Sequence, residues 1–266
     1  MSMAVLPGAL MKAEVAGVMT LTLNAPKASN PLNAELLQGL LDCFREAQES
    51  SSVRCVVLAA AGRAFSCGAD ILELEARLKE SPHAYAEELR SIVHPLIRLI
   101  RTMEKPVVVS VNGPAIGLGA SLALSCDIKL ASEDVSFVCS CAPAGLLPIG
   151  MTGALVQHLG ISRALELAWT ARPVPAQEAL SLGLVNLVVP AYRLESTTFE
   201  FVRRILEGAP RSQALTKKAM NLALARSLKE ELDYEAGLQD ILAGTKDHKE
   251  GVAAILEKRP PSFTGE

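Results

Sequence analysis

Residues 106–162 contain only four formal charges: Asp127, Lys129, Glu133 and Asp134. At the chain's overall 21% of charged residues, even spreading would put about twelve there. A stretch this poor in charge belongs in an interior, because ionised side chains are almost never fully buried without partners. Two runs inside it, 106–126 and 135–162, carry no Lys, Arg, Asp or Glu and are long enough to cross a bilayer. Asn112-Gly113-Pro114 interrupts the first, and Pro143, Pro148 and several glycines interrupt the second. Facing lipid, such breaks would leave backbone groups unpaired, so the expectation is protein core and no membrane.

The rest of the composition agrees. Half of the 266 residues are hydrophobic but only 4% are aromatic, so the core is built from Ala, Val, Leu and Ile. That length allows one large domain, or one domain with a small appendage, and needs no disulfides to bury a core. A net charge of −3 argues against a non-specific nucleic-acid binder. The first ten residues lack the basic start and apolar stretch of a signal peptide, and the arginines of a mitochondrial presequence. Cysteines at 43, 55, 67, 126, 139 and 141 form no CxxC pair and no metal-site spacing. Reduced thiols in the cytoplasm, and no metal, are the expectation.

Residues 10–15 and 18–23 alternate around Gly17 as a β-hairpin. Asn33 can cap a helix with the apolar stripe Leu36, Leu37, Leu40, Leu41 and Phe44. Residues 53–60 and 106–111 read as buried strands, each leading through a Gly-containing loop into a helix. Helical spacing returns at Tyr85, Leu89, Ile92, Val93 and Leu96, with Pro95 forcing a start or kink. Residues 115–126 read as a small-residue helix, and 127–132 and 136–140 as strands. Alternating strands and helices imply an α/β fold with right-handed crossovers and mainly parallel pairing. The expected division is a core over 1–196 and a helical module over 197–266, thin enough to need packing on something else.

Two loops follow buried strands and enter helices: Gly62-Arg63-Ala64-Phe65-Ser66-Cys67-Gly68-Ala69-Asp70-Ile71 and Asn112-Gly113-Pro114-Ala115-Ile116-Gly117-Leu118-Gly119-Ala120-Ser121. The first N–H groups of each helix lack carbonyl partners, and the helix dipole favours negative charge there. Two such ends aimed at one point would form an oxyanion hole. Phosphate-loop, dinucleotide-binding and nucleophile-elbow patterns are absent.

These loops resemble the crotonase (enoyl-CoA hydratase/isomerase) superfamily. Further matching segments are Asn24-Ala25-Pro26-Lys27, Asn30-Pro31-Leu32-Asn33, Lys105-Pro106-Val107, Cys126-Asp127-Ile128, Pro175-Ala176-Gln177-Glu178-Ala179-Leu180, Gly183-Leu184-Val185-Asn186 and Glu257-Lys258-Arg259 with Pro261 and Phe263. The resemblance implies a spiral of ββα units with a C-terminal helical trimerisation module, assembled as a homotrimer or dimer of trimers. It implies that the N–H groups of Ala69 and Leu118 hold an acyl-CoA thioester oxygen and stabilise an enolate. Lys27 and Ala28 would lie by the CoA nucleotide and Asp70 and Ile71 along its pocket. Phe263 would contact CoA bound to a neighbouring subunit. CoA enters as part of the substrate, and no tightly bound cofactor is implied. Leu118 replaces the usual glycine, which is tolerable at negative φ because only an N–H is needed.

The acids depart from the pattern. The two glutamate positions of the family's hydratases fall on Ser121 and Cys141, and the acid position of its isomerases on Ile149. Residues 135–162 hold no carboxylate. Hydration needs a base for water and an acid for the α-carbon. A serine hydroxyl supplies neither unaided, and Cys141 would need a stabilised thiolate. Reactions that generate their own enolate, such as decarboxylation of a malonyl-type thioester, would still benefit from the hole.

Cys139 and Cys141, alternating on the expected strand, read as two small buried hydrophobes rather than a thiol pair in the acyl pocket. His94, flanked by Arg90, Arg98 and Arg101, reads as part of a solvated or phosphate-facing stripe, and His158 as a helix-end residue. Glu73 and Glu75 read as a solvated helix face. Ser121 as a ClpP-like nucleophile lacks a histidine base in residues 135–150. The expectation is an acyl-CoA thioester enzyme. The alternatives are a non-catalytic acyl-CoA binder, a malonyl-type decarboxylase and a ClpP-like serine hydrolase.

Overall fold

The hairpin read from sequence is β2 (Leu10–Val15) with β3 (Val18–Leu23), and β1 (Met3–Leu6) adds to it, so that the three open a seven-stranded sheet as successively antiparallel strands. The computed structural model describes residues 3–81, 83–223 and 225–266. Met1 and Ser2, which open the segment read as lacking a leader, lie outside them. Ala16 and Gly17 both take positive φ in the β2–β3 turn, the left-handed conformation that tight hairpins require.

Beyond β3 the order strand, short strand, helix recurs. β4 (Pro31–Leu32) leads to α1 (Ala34–Glu49), and β5 (Cys55–Ala60) leads through β6 (Gly68–Ala69) to α2 (Ile71–Glu80). After α3 (Ala84–Glu88), a π-helical turn over Leu89–Val93 and α4 (His94–Thr102), β7 (Val107–Val111) leads through β8 (Ala115–Ile116) to α5 (Leu118–Ser125). β9 (Ile128–Ser132) and β10 (Ser136–Val138) precede α6 (Thr152–Thr170). The long strands β3, β5, β7, β9 and β12 (Leu187–Val189) pair parallel in that order. The short strands form their own layer, β4 with β6 and β8 with β10, joined by β11 (Val174–Pro175) before α7 (Ala176–Ser181). This is the expected α/β spiral of ββα units.

Local chemistry sets the helix starts. Asn33 accepts the Leu36 N–H and caps α1, whose Leu36, Leu37, Leu40, Leu41 and Phe44 are buried as predicted. Pro95 directly follows the π-helical turn of Leu89–Val93 inside a continuous helical run, so it marks an irregularity and not a helix start. Residues 107–111 are buried throughout because both sheet faces are covered. On one face lies the α1 and α4 core, and on the other Leu194 and Val202 of α8 (Leu194–Leu206) pack on Val57, Val108 and Leu130. Then follow α9 (Pro210–Ala223), α10 (Leu228–Ala243) and α11 (Lys246–Glu257). Leu228, Leu232, Ile255 and Leu256 there are all exposed.

Three expectations are corrected. Ala115 and Ile116 are strand, and the helix starts only at Leu118, because β8 must first pair with Ser66 and β10. The strand expected over 136–140 ends at Val138, so Cys139 and Cys141 lie in the turn beyond it. The run 106–126 is interior, but 142–147 is exposed, as are Val156 and Ile161 of α6. Lack of charge there marks an apolar surface rather than core. No described helix is long and apolar enough to cross a membrane.

Candidate active site

Asn30 fastens the first loop. The residue is buried, and its backbone takes the left-handed φ of 54°, which Asn tolerates better than most residues. The amide oxygen accepts the Ala25 N–H at 2.8 Å, and the amide nitrogen donates to the carbonyls of Ala61, Ala64 and Phe65 at 2.9, 3.0 and 3.2 Å. The Ser66 hydroxyl donates to the Asn30 carbonyl at 2.7 Å and accepts the Gly68 N–H at 3.1 Å. The loop leading to Ala69 is therefore held by a chain of buried hydrogen bonds.

That loop aims a backbone donor. The Asp70 N–H donates to the Leu32 carbonyl across the β4–β6 ladder. In a strand, successive residues turn their N–H groups to opposite sides, so the Ala69 N–H faces away from β4. On the facing segment the Ile116 N–H donates to the Ser66 carbonyl and the Gly117 N–H to Val138. The turn at Gly117 then brings the Leu118 nitrogen close to Gly68, the residue before Ala69. As the first residue of α5, Leu118 has no intrahelical carbonyl to bond. The segment ending in Ala69 and the start of α5 thus lie side by side, with the Leu118 N–H at the positive end of the helix.

Two glycines allow this approach. A Cβ on Gly68 would sit 2.7 Å from the Ile116 carbonyl oxygen and 3.5 Å from the Leu118 nitrogen. Gly117, at φ 52° and ψ −117°, makes the turn from β8 into α5 in a conformation closed to residues with a Cβ. Leu118 keeps a negative φ and packs its side chain in the core.

The structure places the other predicted residues unevenly. Lys27 and Ala28 sit exposed on a turn beside the first loop, where the Ala28 carbonyl accepts the Cys67 thiol. Asp70 caps α2, its carboxylate accepting the N–H groups of Leu72 and Glu73. Ile71 is exposed next to it. Phe263 lies against Gly251 of α11, in a cavity lined by residues of the C-terminal helices.

The residues at the acid positions are buried and engaged. Ser121 is fully buried, and its hydroxyl donates to the Ile149 carbonyl. That ties α5 to the 149–151 segment and commits the proton there. The Cys141 turn lies beside the start of α5, since a Cβ on Gly117 would meet the Ser140 hydroxyl at 2.9 Å. Burial pushes the Cys141 thiol up against the pull of a hydrogen bond from Ile149, so it stays protonated at neutral pH. Cys139 is buried beside the Met151 sulfur at 3.4 Å, and burial holds its thiol up at about 11.

Glu73 accepts the Ala34 N–H and pairs with Arg77, while Glu75 pairs with Lys79. His94 is exposed on α4, and His158 precedes the break in α6 at Gly160, as expected.

Glu88 escaped the sequence reading, and Tyr85 was read only as part of an apolar helical stripe. Glu88 pairs with Arg77 at 2.6 Å with its side chain only 11% exposed, and burial raises its pKa despite the guanidinium. Tyr85, one turn earlier, is close enough to Cys141 for their charges to couple, and burial holds its phenol up at about 12. The available signal was spacing: Glu88 falls three residues after Tyr85, on the stripe read as apolar.

A profile of the enoyl-CoA hydratase/isomerase family matches residues 13–266. The chain is 34% identical over 250 residues to the 1,2-epoxyphenylacetyl-CoA isomerase of Escherichia coli K12, covering 94% of this chain and 95% of that one. It is also 34% identical over 244 residues to the short-chain-enoyl-CoA hydratase of Clostridium acetobutylicum, covering 91% and 92%. Among solved structures, an enoyl-CoA hydratase from Polaromonas sp. JS666 superposes with a TM-score of 0.91 at 30% identity, over 96% of this chain and 99% of that chain.

Proposed function

The chain belongs to the enoyl-CoA hydratase/isomerase family, and on that premise we propose that it acts on an acyl-CoA thioester. The Ala69 and Leu118 N–H groups bind the thioester oxygen and stabilise the enolate that forms when the α-carbon loses a substituent. The observation that supports this reading is the close approach of the two segments, a Cβ on Gly68 lying 3.5 Å from the Leu118 nitrogen. Donors held before the reaction lower the barrier because no reorganisation is needed as charge develops. Lys27 and Ala28 lie by the nucleotide and Asp70 and Ile71 along the CoA path. Phe263 serves CoA bound to a neighbour in a homotrimer or dimer of trimers, an assembly supported by the exposed Leu228, Leu232, Ile255 and Leu256.

Hydration through two carboxylates is the reaction the site supports least. Ser121 has committed its proton to Ile149, and Cys141 is held as a thiol. Loss of CO2 from a malonyl-type thioester, which generates its own enolate for the hole to carry, fits better. The same two observations favour a second reading, a non-catalytic acyl-CoA binder. They oppose a serine hydrolase, which needs a hydroxyl facing substrate and a histidine base.

Calorimetry with acetoacetyl-CoA, paired with turnover of crotonyl-CoA, β,γ-enoyl-CoA and malonyl-type thioesters, separates the readings. Binding with turnover of the second or third substrate class supports the proposal. Binding without turnover of any supports the non-catalytic reading. Failure to bind any CoA thioester sinks both.

A further inference from the structure

A cleft of about 530 Å³ opens at the opposite edge of the sheet from Ala69 and Leu118, where β7 and β9 begin. It is lined by Arg101 of α4, Asp127, Lys129 of β9, His158 of α6 and Lys217 of α9. Three of these are basic side chains and one is a carboxylate.

The pairing leaves charge over. Lys217 spends its three protons on the Asp127 carboxylate at 2.7 Å and the Ile100 and Lys105 carbonyls at 2.8 and 3.1 Å. Asp127 also accepts the Val107 N–H, so that pair is closed. Lys129 is only 5% exposed, and its ammonium has one long contact, to the Cys126 carbonyl at 3.3 Å. Among the described residues its other protons find no acceptor, and the Arg101 guanidinium has no ion pair. Burial lowers the proton affinity of Lys129, and Arg101 lowers it further. His158, exposed at the rim, is held below its usual value by burial and by Lys129 and Arg101. A buried ammonium without a counter-charge is costly, and the cleft has room for one.

We propose that this cleft binds a phosphate group, free or carried by a small metabolite, with Lys129 at its floor and Arg101 and His158 beside it. A recessed ammonium next to a guanidinium suits a compact oxyanion, since charge-assisted N–H bonds are roughly twice as strong as neutral ones. The site is separate from the thioester site and does not depend on the function proposed there.

The test titrates inorganic phosphate into the full chain by calorimetry and thermal shift, with chloride holding ionic strength constant. Saturable binding in the wild type is expected, weakened about tenfold in Lys129→Met. The His158 imidazole pKa should rise with phosphate by NMR. Arg101→Gln is the second variant, because its backbone carbonyl still accepts Asn221. Glycerol phosphate binding more tightly than inorganic phosphate would mark a metabolite as the source, and weaker binding would mark the free ion. A phosphate response equal to that of chloride, or undiminished in both variants, overturns the proposal. So does a phosphate-free oligomer that dissociates on Lys129→Met, which would assign the counter-charge to a carboxylate of a second copy.

Discussion

One buried oxygen links Ser66 to Asn30: the serine hydroxyl donates to the asparagine carbonyl at 2.7 Å and in turn accepts the Gly68 N–H at 3.1 Å. Ala69, whose N–H is proposed to hold the thioester oxygen, is the next residue. Both polar partners are buried, so their loss cannot be made good by water.

Ser66→Ala should therefore lower stability by about 1–3 kcal/mol, the cost of leaving buried groups unpaired. It should also weaken acetoacetyl-CoA binding, because the loop that aims Ala69 loses its anchor. Urea unfolding and calorimetry on the same preparation check the two effects. Unchanged binding in a destabilised protein would show that Ala69 is held without Ser66.

Gly117→Ala forces a Cβ into a conformation at φ 52° and ψ −117° and to within 2.9 Å of the Ser140 hydroxyl. The relief available is a shift of the α5 start, which moves the Leu118 N–H. Turnover of whichever thioester is processed should fall by about 10²–10³, the usual effect of losing one oxyanion donor. Circular dichroism should show the fold retained.

Ser121→Ala removes a hydroxyl that donates to Ile149. Stability should fall by about 1–3 kcal/mol while kcat changes little. A serine-directed phosphonate should leave Ser121 unlabelled. Labelling that disappears in the alanine variant would restore the nucleophile reading.

Glu88 carries a pH signature. Its folded pKa lies above the ordinary value of 4.5, because burial outweighs the Arg77 attraction. The folded state therefore binds the proton more tightly than the unfolded chain does. The stability this contributes is complete below pH 4.5 and is lost as pH rises through the higher folded value. Denaturant midpoints for wild type and Glu88→Gln should converge at the acid end of that window and separate across it. Parallel curves would show that Glu88 titrates alike in both states.

Much of the fold was readable because its determinants are local. The Asn33 cap, the stripe from Leu36 to Phe44, the valine run 107–111 and the two glycine loops each depend on residues a few positions apart. The two-residue strands β6 and β8 were not readable. They exist because each meets a neighbour distant in sequence, and two residues cannot carry a periodic signal. Glu88 was missed for a related reason: an acid on an apolar stripe stands out only once Arg77 is seen beside it.

The charge-poor stretch by itself determined that residues 106–126 would be interior and that no carboxylate could come from 135–162, since composition alone decides both. Where that stretch stays apolar at the surface, as at 142–147, was decided by the tertiary structure. So were the approach of Gly68 to the Leu118 nitrogen and the commitment of Ser121 to Ile149. Hydrogen-bond direction and burial belong to pairs of segments, and a single sequence position carries no record of its distant partner.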